Sequence, residues 1–331
     1  MKPLILTSLH GLDLKESSRA DVVVAFTFKF AWGELPSPQK LTEYLGPRLP
    51  DQDRADHWSC FIVGRPLPPK QRGHEHLSLV EFCRPYESVE LWFDSEPVDQ
   101  LQLIWLLDGL RSDEETVAKL KVRLVSYEML TASPEQLAKW DGPAFAVTAA
   151  DLNIASTAWQ AYRASTPEAF VGLLRRDLSR FLMLRPVMRD LLEELPSAST
   201  GLGRTEMRLL ELVAGGYTGL NGLFYLRDFG QRRVFSEWEL GFLLEDLAFG
   251  PMPVFTGLDD EVRAIPRERH YERHEAYRRS RLSITDFGRA VLAYKEDFSR
   301  HNPIDRWWGG THLTSDNLWR YDRVLIPPAR Q

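Results

Sequence analysis

Apolar and polar positions follow one rhythm in the first 148 residues and another beyond them. Leu4-Ile-Leu-Thr7 and Asp21-Val-Val-Val-Ala-Phe-Thr-Phe28 are short, β-branched runs that read as buried strands. Val89-Glu-Leu-Trp-Phe93 is a third, and residues 122–127 a fourth. Between them, residues 98–110 carry the period of an amphipathic helix. Ser133-Pro-Glu-Gln136 opens another helix, with Ser as cap, Pro at the first helical position and Gln three residues after the Ser. A polar stretch rich in proline and histidine, about 36–75, interrupts this order, and Cys60-Phe-Ile-Val-Gly64 within it fits a short strand. Strands alternating with helices predict an α/β domain over residues 1–148, with a Rossmann-like, mostly parallel sheet.

From residue 149 the pattern is helical. Residues 152–164 form one segment, and Thr166-Pro-Glu-Ala-Phe170 starts a long amphipathic helix running towards Leu184. Pro186 and Pro196 bound another. Ser197-Ala-Ser-Thr-Gly-Leu-Gly203 reads as a linker, so residues 149–200 are expected to be a helical connector. Residues 201–331 then give a helix ended by Gly215-Gly216, a short helix near 220–226 and a helix over 236–249. Strands are expected over 253–256 and 281–285, before a helix that opens at Thr285. That is the rhythm of a C-terminal winged-helix-like α+β domain.

Composition is that of a soluble protein: 331 residues, 44% hydrophobic and 27% charged. The N-terminal apolar run is too short for a signal peptide, and no later run is long enough to span a bilayer. Two cysteines, Cys60 and Cys83, do not make a disulfide framework, which points to a cytoplasmic location. A net charge of −6 argues against non-specific coating of nucleic acid while leaving room for a local basic patch.

Strand–turn–helix units in open α/β sheets hold ligands outside the carboxyl ends of the strands. Asp94 ends the third strand, and Asp99, Gln100 and Gln102 lie in the first turns of the helix that follows. Asp99 and Gln102 are three apart and share a face. Together they suit a sugar hydroxyl, an amine or a metal; the alternative is a helix cap and a turn carboxylate. His10 and Asp13 follow the first strand and would face Asp94 across the crevice of a doubly wound sheet, His10 as acid/base and Asp13 as its neighbouring carboxylate. No glycine-rich phosphate loop and no Gly-Lys-Ser/Thr is present, so dinucleotide or nucleoside-triphosphate binding of the familiar kinds has no support, and the sequence names no cofactor. His57, Cys60, His74 and His76 are four soft ligands that zinc could use, but their H-x2-C…H-x-H spacing matches no strong template, and exposed loop histidines with a buried thiol are the expectation.

Leu91-Trp-Phe-Asp94 with Asp99-Gln-Leu-Gln-Leu103 resembles an uncharacterised bacterial family, a domain of unknown function in which a Trp-Phe strand precedes an Asp-Gln-Leu-Gln-Leu helix. Leu9-His-Gly-Leu-Asp13 is similar to that family's Gly-Asp turn, with a Leu inserted, and Trp32-Gly-Glu-Leu-Pro36 to its Glu-Gly-Pro loop. Residues 282–292, Asn302-Pro-Ile-Asp-Arg-Trp-Trp-Gly-Gly310 and Trp319-Arg-Tyr-Asp322 resemble the end of the same proteins. The resemblance implies an architecture and no activity.

A second class of function attaches to residues 263–281, where seven arginines stand against three glutamates. Arg269, Arg273, Arg278 and Arg279 are the candidate contacts to nucleic acid or a protein partner, against a solvated helix held by Glu–Arg pairs. His270 and His274 have helical spacing, but Tyr271 stands where a zinc protease needs Glu. The third helix of the winged-helix unit holds Glu237, Glu239, Glu245 and Asp246 and no Lys or Arg, which disfavours duplex DNA. In Asp305-Arg-Trp-Trp-Gly-Gly310 and the following residues to Asp322 a ring-locked terminal hairpin is expected, with Arg306 or Arg320 over an indole. His312 and Arg306 lining a cleft is the alternative.

Overall fold

The sheet of the first unit grows outward from a wholly buried strand. In the computed structural model, which describes residues 2–8, 11–64, 67, 69, 71–125, 132–181, 183–226, 232–259 and 277–328, β1 (Leu4–Thr7) is buried along its whole length. It pairs in parallel with β2 (Val22–Ala25) on one side and β3 (Val89–Phe93) on the other. β4 (Leu120–Leu124) adds in parallel to β3, and β5 (Phe145–Ala146) closes that edge antiparallel, giving the order β2-β1-β3-β4-β5. The protein is thus mixed α/β with a mostly parallel five-stranded sheet. Continuous apolar runs are what such a sheet requires when both faces are covered.

The helix Pro97–Leu110 differs from expectation. Pro97, Asp99 to Leu107 and Leu110 are all buried, so the helix has no wet face and is not amphipathic. The helix Ala149–Tyr162, capped reciprocally by Thr148 and Asp151, packs against it. The second strand also ends early. Phe26, Phe28 and Phe30 continue the alternation expected of a strand, but their rings gather round Trp105 at 5.5, 4.8 and 5.4 Å instead of extending the sheet. The strand expected at 60–64 is reduced to one antiparallel bridge from Ile62 to Val24, because Trp58–Phe61 coil into a 3-10 turn.

Gly11 shows why a small residue follows β1. A Cβ there would lie 2.7 Å from both Ala25 Cβ and Val63 Cγ2. Alanine is the better helix former by about 1 kcal/mol, yet overpacking costs about 1–3 kcal/mol, so the clash decides the sign. Gly11→Ala should therefore lower stability, read as a fall in the urea midpoint; an unchanged or higher midpoint would show that the contact relaxes freely.

The helix expected to run from Thr166 to Leu184 is broken. Glu168–Leu173 is helical; then Asp177 accepts the Ser179 amide at 2.9 Å, and the next helix is Leu184–Glu193, with Pro186 inside its first turn. Residues 197–203 are not a loose linker. Ser197 Oγ accepts the amides of Ser199 and Thr200, Gly201 takes a positive φ, and Thr200 and Leu202 are buried.

Two compact units result: Met1–Phe30, Glu34–Ala164 and Gly172–Val187 in one, and Ala31–Gly33, Ser165–Val171 and Met188–Gln331 in the other. The segment expected as a connector, 149–200, is shared between them. The second unit contains the helices Arg204–Ala214, Leu220–Leu226 and Glu237–Phe249, followed by the antiparallel pair β6 (Phe255–Thr256) and β7 (Ser283–Ile284). The helix Asp286–Leu292 follows, then the hairpin of β8 (Asp305–Trp308) and β9 (Thr311–Thr314). β10 (Arg320–Tyr321) pairs with β11 (Leu325–Ile326). Arg306 and Arg320 choose carboxylates over indoles: Arg306 meets Glu206 at 2.8 Å and Arg320 meets Asp297 at 3.0 Å. Trp307 stacks on His312 at 4.5 Å instead, and His312 Nε2 bonds Asp305 at 2.6 Å. Among the described residues no helix is long and apolar enough to cross a membrane.

Candidate functional site

The chain leaves β1 towards β2 on one side and finds β3 on the other, so the strand order reverses between β1 and β3. That switch point is where an open α/β sheet leaves a crevice at its carboxyl end. The register pairs Thr7 with Trp92, so Ser8, just past the end of β1, and Asp94, just past the end of β3, come to the same end of the sheet. Thr7 Oγ1 donates to the Trp92 carbonyl at 2.7 Å and fixes that alignment.

Asp99 joins the two strand ends through one oxygen. Its Oδ2 accepts Ser8 Oγ at 2.6 Å and the Asp94 amide at 3.0 Å. Asp94 Oδ1 in turn accepts the Glu96 amide at 2.7 Å, and Gln100 Nε2 donates to the Asp94 carbonyl. Ser8, Asp94, Asp99 and Gln100 are all buried. These bonds satisfy the turn, as a cap and a turn carboxylate would. They also place two carboxylates together away from water. Burial first, and the neighbouring Asp99 carboxylate second, push the Asp94 carboxyl up to about 8. Asp94 therefore holds a proton at neutral pH beside an acceptor that already takes two hydrogen bonds.

The structure brings together Asp94, Asp99 and Gln100 of the residues expected from the sequence. Gln102 is buried on the same helix, and its Oε1 has no partner among the described residues. Asp13 sits half-buried in the first turn of the short helix Gly11–Glu16. His10 lies outside the described residues, as do Arg269 and Arg273. Arg278 and Arg279 are described and exposed. His57, expected as an exposed loop histidine, is fully buried, with its ring nitrogens on Ser59 Oγ and the Gly46 carbonyl. Burial holds its pKa below the ordinary value.

Sequence reasoning missed Ser8, although a serine directly after a short, largely apolar strand was a signal. It also missed Glu90. That residue is buried within β3 and paired with Arg123 at 2.7 Å, with Trp92 Nε1 donating at 2.8 Å. Burial alone would raise the Glu90 pKa, but the Arg123 and Trp92 donors outweigh it and leave the carboxylate below its ordinary range. Glu90 and Trp92 alternate along β3 and share a face, which explains how a charge survives in a buried strand.

Beside this constellation a cavity of about 510 Å³ is lined by Gln100, Leu103, Val122, Leu124, Phe145 and Arg180, among others. Gln100 belongs to both features. An apolar lining with a few polar groups at its margin is the usual character of a small-molecule site. Arg180 is held at that margin by Asp151, at 2.6 Å. No protein-family model matches this chain, and no curated protein matches its sequence.

Proposed function

We propose that the protein binds a small polar molecule at the carboxyl ends of β1 and β3 and exchanges a proton with it at Asp94. The observation that carries this reading is the junction of both strand ends on Asp99 Oδ2, which sets the Asp94 carboxyl, with its raised pKa, beside a second buried carboxyl group. A group whose pKa lies near the working pH serves as acid or base with the least loss in either direction. Asp99 orients, Ser8 supplies a hydroxyl, and Gln100 ties the turn to the adjoining cavity. His10, two residues beyond Ser8, enters as the partnering base on sequence grounds, and Asp13 as a carboxylate near it. The likeness of the Trp92-Phe93 strand and its helix to an uncharacterised bacterial family supports a Rossmann-like reading of the architecture.

A thermal-shift screen of small hydroxylated and aminated compounds tests the proposal. A binder should raise Tm by about 4–8 °C at saturating concentration, worth ~2–3 kcal/mol of linkage. Asp94→Asn and Ser8→Ala should abolish that shift while leaving the ligand-free circular dichroism spectrum intact. Equal shifts in all three proteins would move the site elsewhere.

For the second unit a winged-helix-like arrangement is our reading. Three helices precede the β6–β7 pair, and an antiparallel bridge from Gly219 to Arg281 adds the third strand position such a unit needs. Glu239 is turned inward and accepts the Ser236 amide, whereas Glu237 and Asp246 stay exposed. That helix face still repels a duplex.

A further inference from the structure

We propose that the second unit binds a neutral saccharide in the cavity lined by Tyr294 and Arg323. The inference is independent of the carboxylate site of the first unit. It starts from two residues whose backbone would be better served by glycine. Among the described residues only Ser18, Tyr294 and Arg323 take a positive φ without being glycine, and Tyr294 and Arg323 line the same cavity, of about 320 Å³. That volume lies within the range of small-molecule sites.

The left-handed conformation of Tyr294 comes from how its helix ends. After Asp286–Leu292 the Tyr294 amide returns to the Val291 carbonyl and the Lys295 amide to the Ala290 carbonyl, both at 2.9 Å. This paired closure needs a left-handed residue at position 294, and glycine fills it at no steric cost. Tyrosine sits there at φ 59°, and its side chain is 66% exposed, so burial of the ring does not offset the strain. Arg323 repeats the case. It turns the chain from β10 to β11 at φ 63°, inside a turn where the Asp322 amide donates to the Val324 carbonyl at 3.2 Å, and it too is exposed. Strain kept at an exposed side chain points to what that side chain meets.

The rest of the lining defines the ligand. Ser197, Ser199 and Thr200 bring three hydroxyls, held together by bonds from Ser197 Oγ to Ser199 at 3.1 Å and to Thr200 at 2.9 Å. Glu193 and Asp322 stand on the lining with Arg204 and Arg323, two carboxylates with two guanidinium groups. Arg204 Nη1 meets Glu193 at 2.7 Å, and Asp322 Oδ2 takes the Ala198 amide at 2.9 Å, so these groups are fixed in place. Balanced charge gives no preference for an ion of either sign. Acceptors and donors side by side suit hydroxyls, each of which both donates and accepts. A sugar ring joins such hydroxyls to an apolar C–H face, and an exposed tyrosine ring is a surface on which that face packs.

The test is saturation-transfer NMR of the full chain with glucose, galactose, N-acetylglucosamine and maltotriose, with affinities from titration. Saturable binding of at least one is expected. Tyr294→Gly and Arg323→Gly should each weaken it about tenfold or more while raising Tm by ~2 °C, because each relieves a left-handed backbone and removes a ligand contact. A side chain kept for structure alone would not give lower affinity together with higher stability. Ser18→Gly relieves the third such backbone outside the cavity and should raise Tm with affinity unchanged. Maltotriose bound at least tenfold more tightly than the monosaccharides assigns the cavity to a glycan chain; smaller preferences assign it to a free sugar. Absence of saturable binding by all four probes overturns the proposal. So does a fall in Tm in either cavity variant, or an affinity that both variants retain.

Discussion

Arg306→Ala should destabilise the second unit by about 3–5 kcal/mol, the usual cost of leaving one buried partner of an ion pair uncompensated. Arg306 Nη1 and Nη2 reach the two oxygens of Glu206 at 2.8 and 3.2 Å. Their side chains are 17% and 4% exposed, so water cannot take the place of the guanidinium. Glu206 also caps its own helix by accepting the Gly203 amide at 2.6 Å. Close by, Glu194 is buried, accepts the Thr205 hydroxyl at 2.6 Å, and has its pKa pushed up to about 7, by burial first and to a lesser degree by the Glu206 charge. Arg306 opposes that rise, so its loss should raise the Glu194 pKa further. The measurement is a chemical denaturation midpoint at pH 7. Arg306→Met with Glu206→Gln should recover most of the loss, because glutamine keeps the cap and methionine fills the volume. If Arg306→Ala costs under about 1 kcal/mol, the pair behaves like an exposed salt bridge and the argument from burial fails.

This pair marks one limit of what the sequence disclosed. Arg306 and Arg320 sit among indoles in the chain, and local composition favoured cation–π contacts. Long-range geometry decided otherwise, since Glu206 and Asp297 are buried charges that need a cation more than any ring does. The segment 197–203 misled for a related reason. Ser, Thr and Gly mark a flexible linker as readily as a tight, hydrogen-bonded turn, and only the side-chain bonds of Ser197 separate the two.

β1, β3 and the helix after β3 were legible because both strands are buried on two faces, so their apolar runs carry no ambiguity. The end of β2 was not, because Phe26, Phe28 and Phe30 keep strand alternation while packing on a helix. At the site, the position of Asp94 followed from strand polarity. Its tie to Ser8 depended on the parallel register of two strands far apart in sequence, which no local pattern encodes.

That tie yields the second large effect, a stability that falls as pH rises. The Asp94 carboxyl moves from an ordinary 3.8 to about 8 in the folded chain. Between those values the native state keeps a proton that the unfolded chain has released. Stability is therefore full below about pH 4 and declines as pH climbs through 8, by on the order of a few kcal/mol. Glu194 adds a smaller decline of the same sign up to about pH 7, so the comparison must be between proteins, not between pH values alone. Asp94→Asn mimics the protonated form and should flatten the profile, making the variant more stable than wild type at pH 8. Asp99→Asn keeps an acceptor for Ser8 while removing the neighbouring charge, and should slide the decline to lower pH. Parallel wild-type and Asp94→Asn profiles between pH 5 and 8 would mean that Asp94 is ionised throughout. The same titration governs the proposed site: a ligand that exchanges a proton with Asp94 must change affinity over the window in which the carboxyl changes charge.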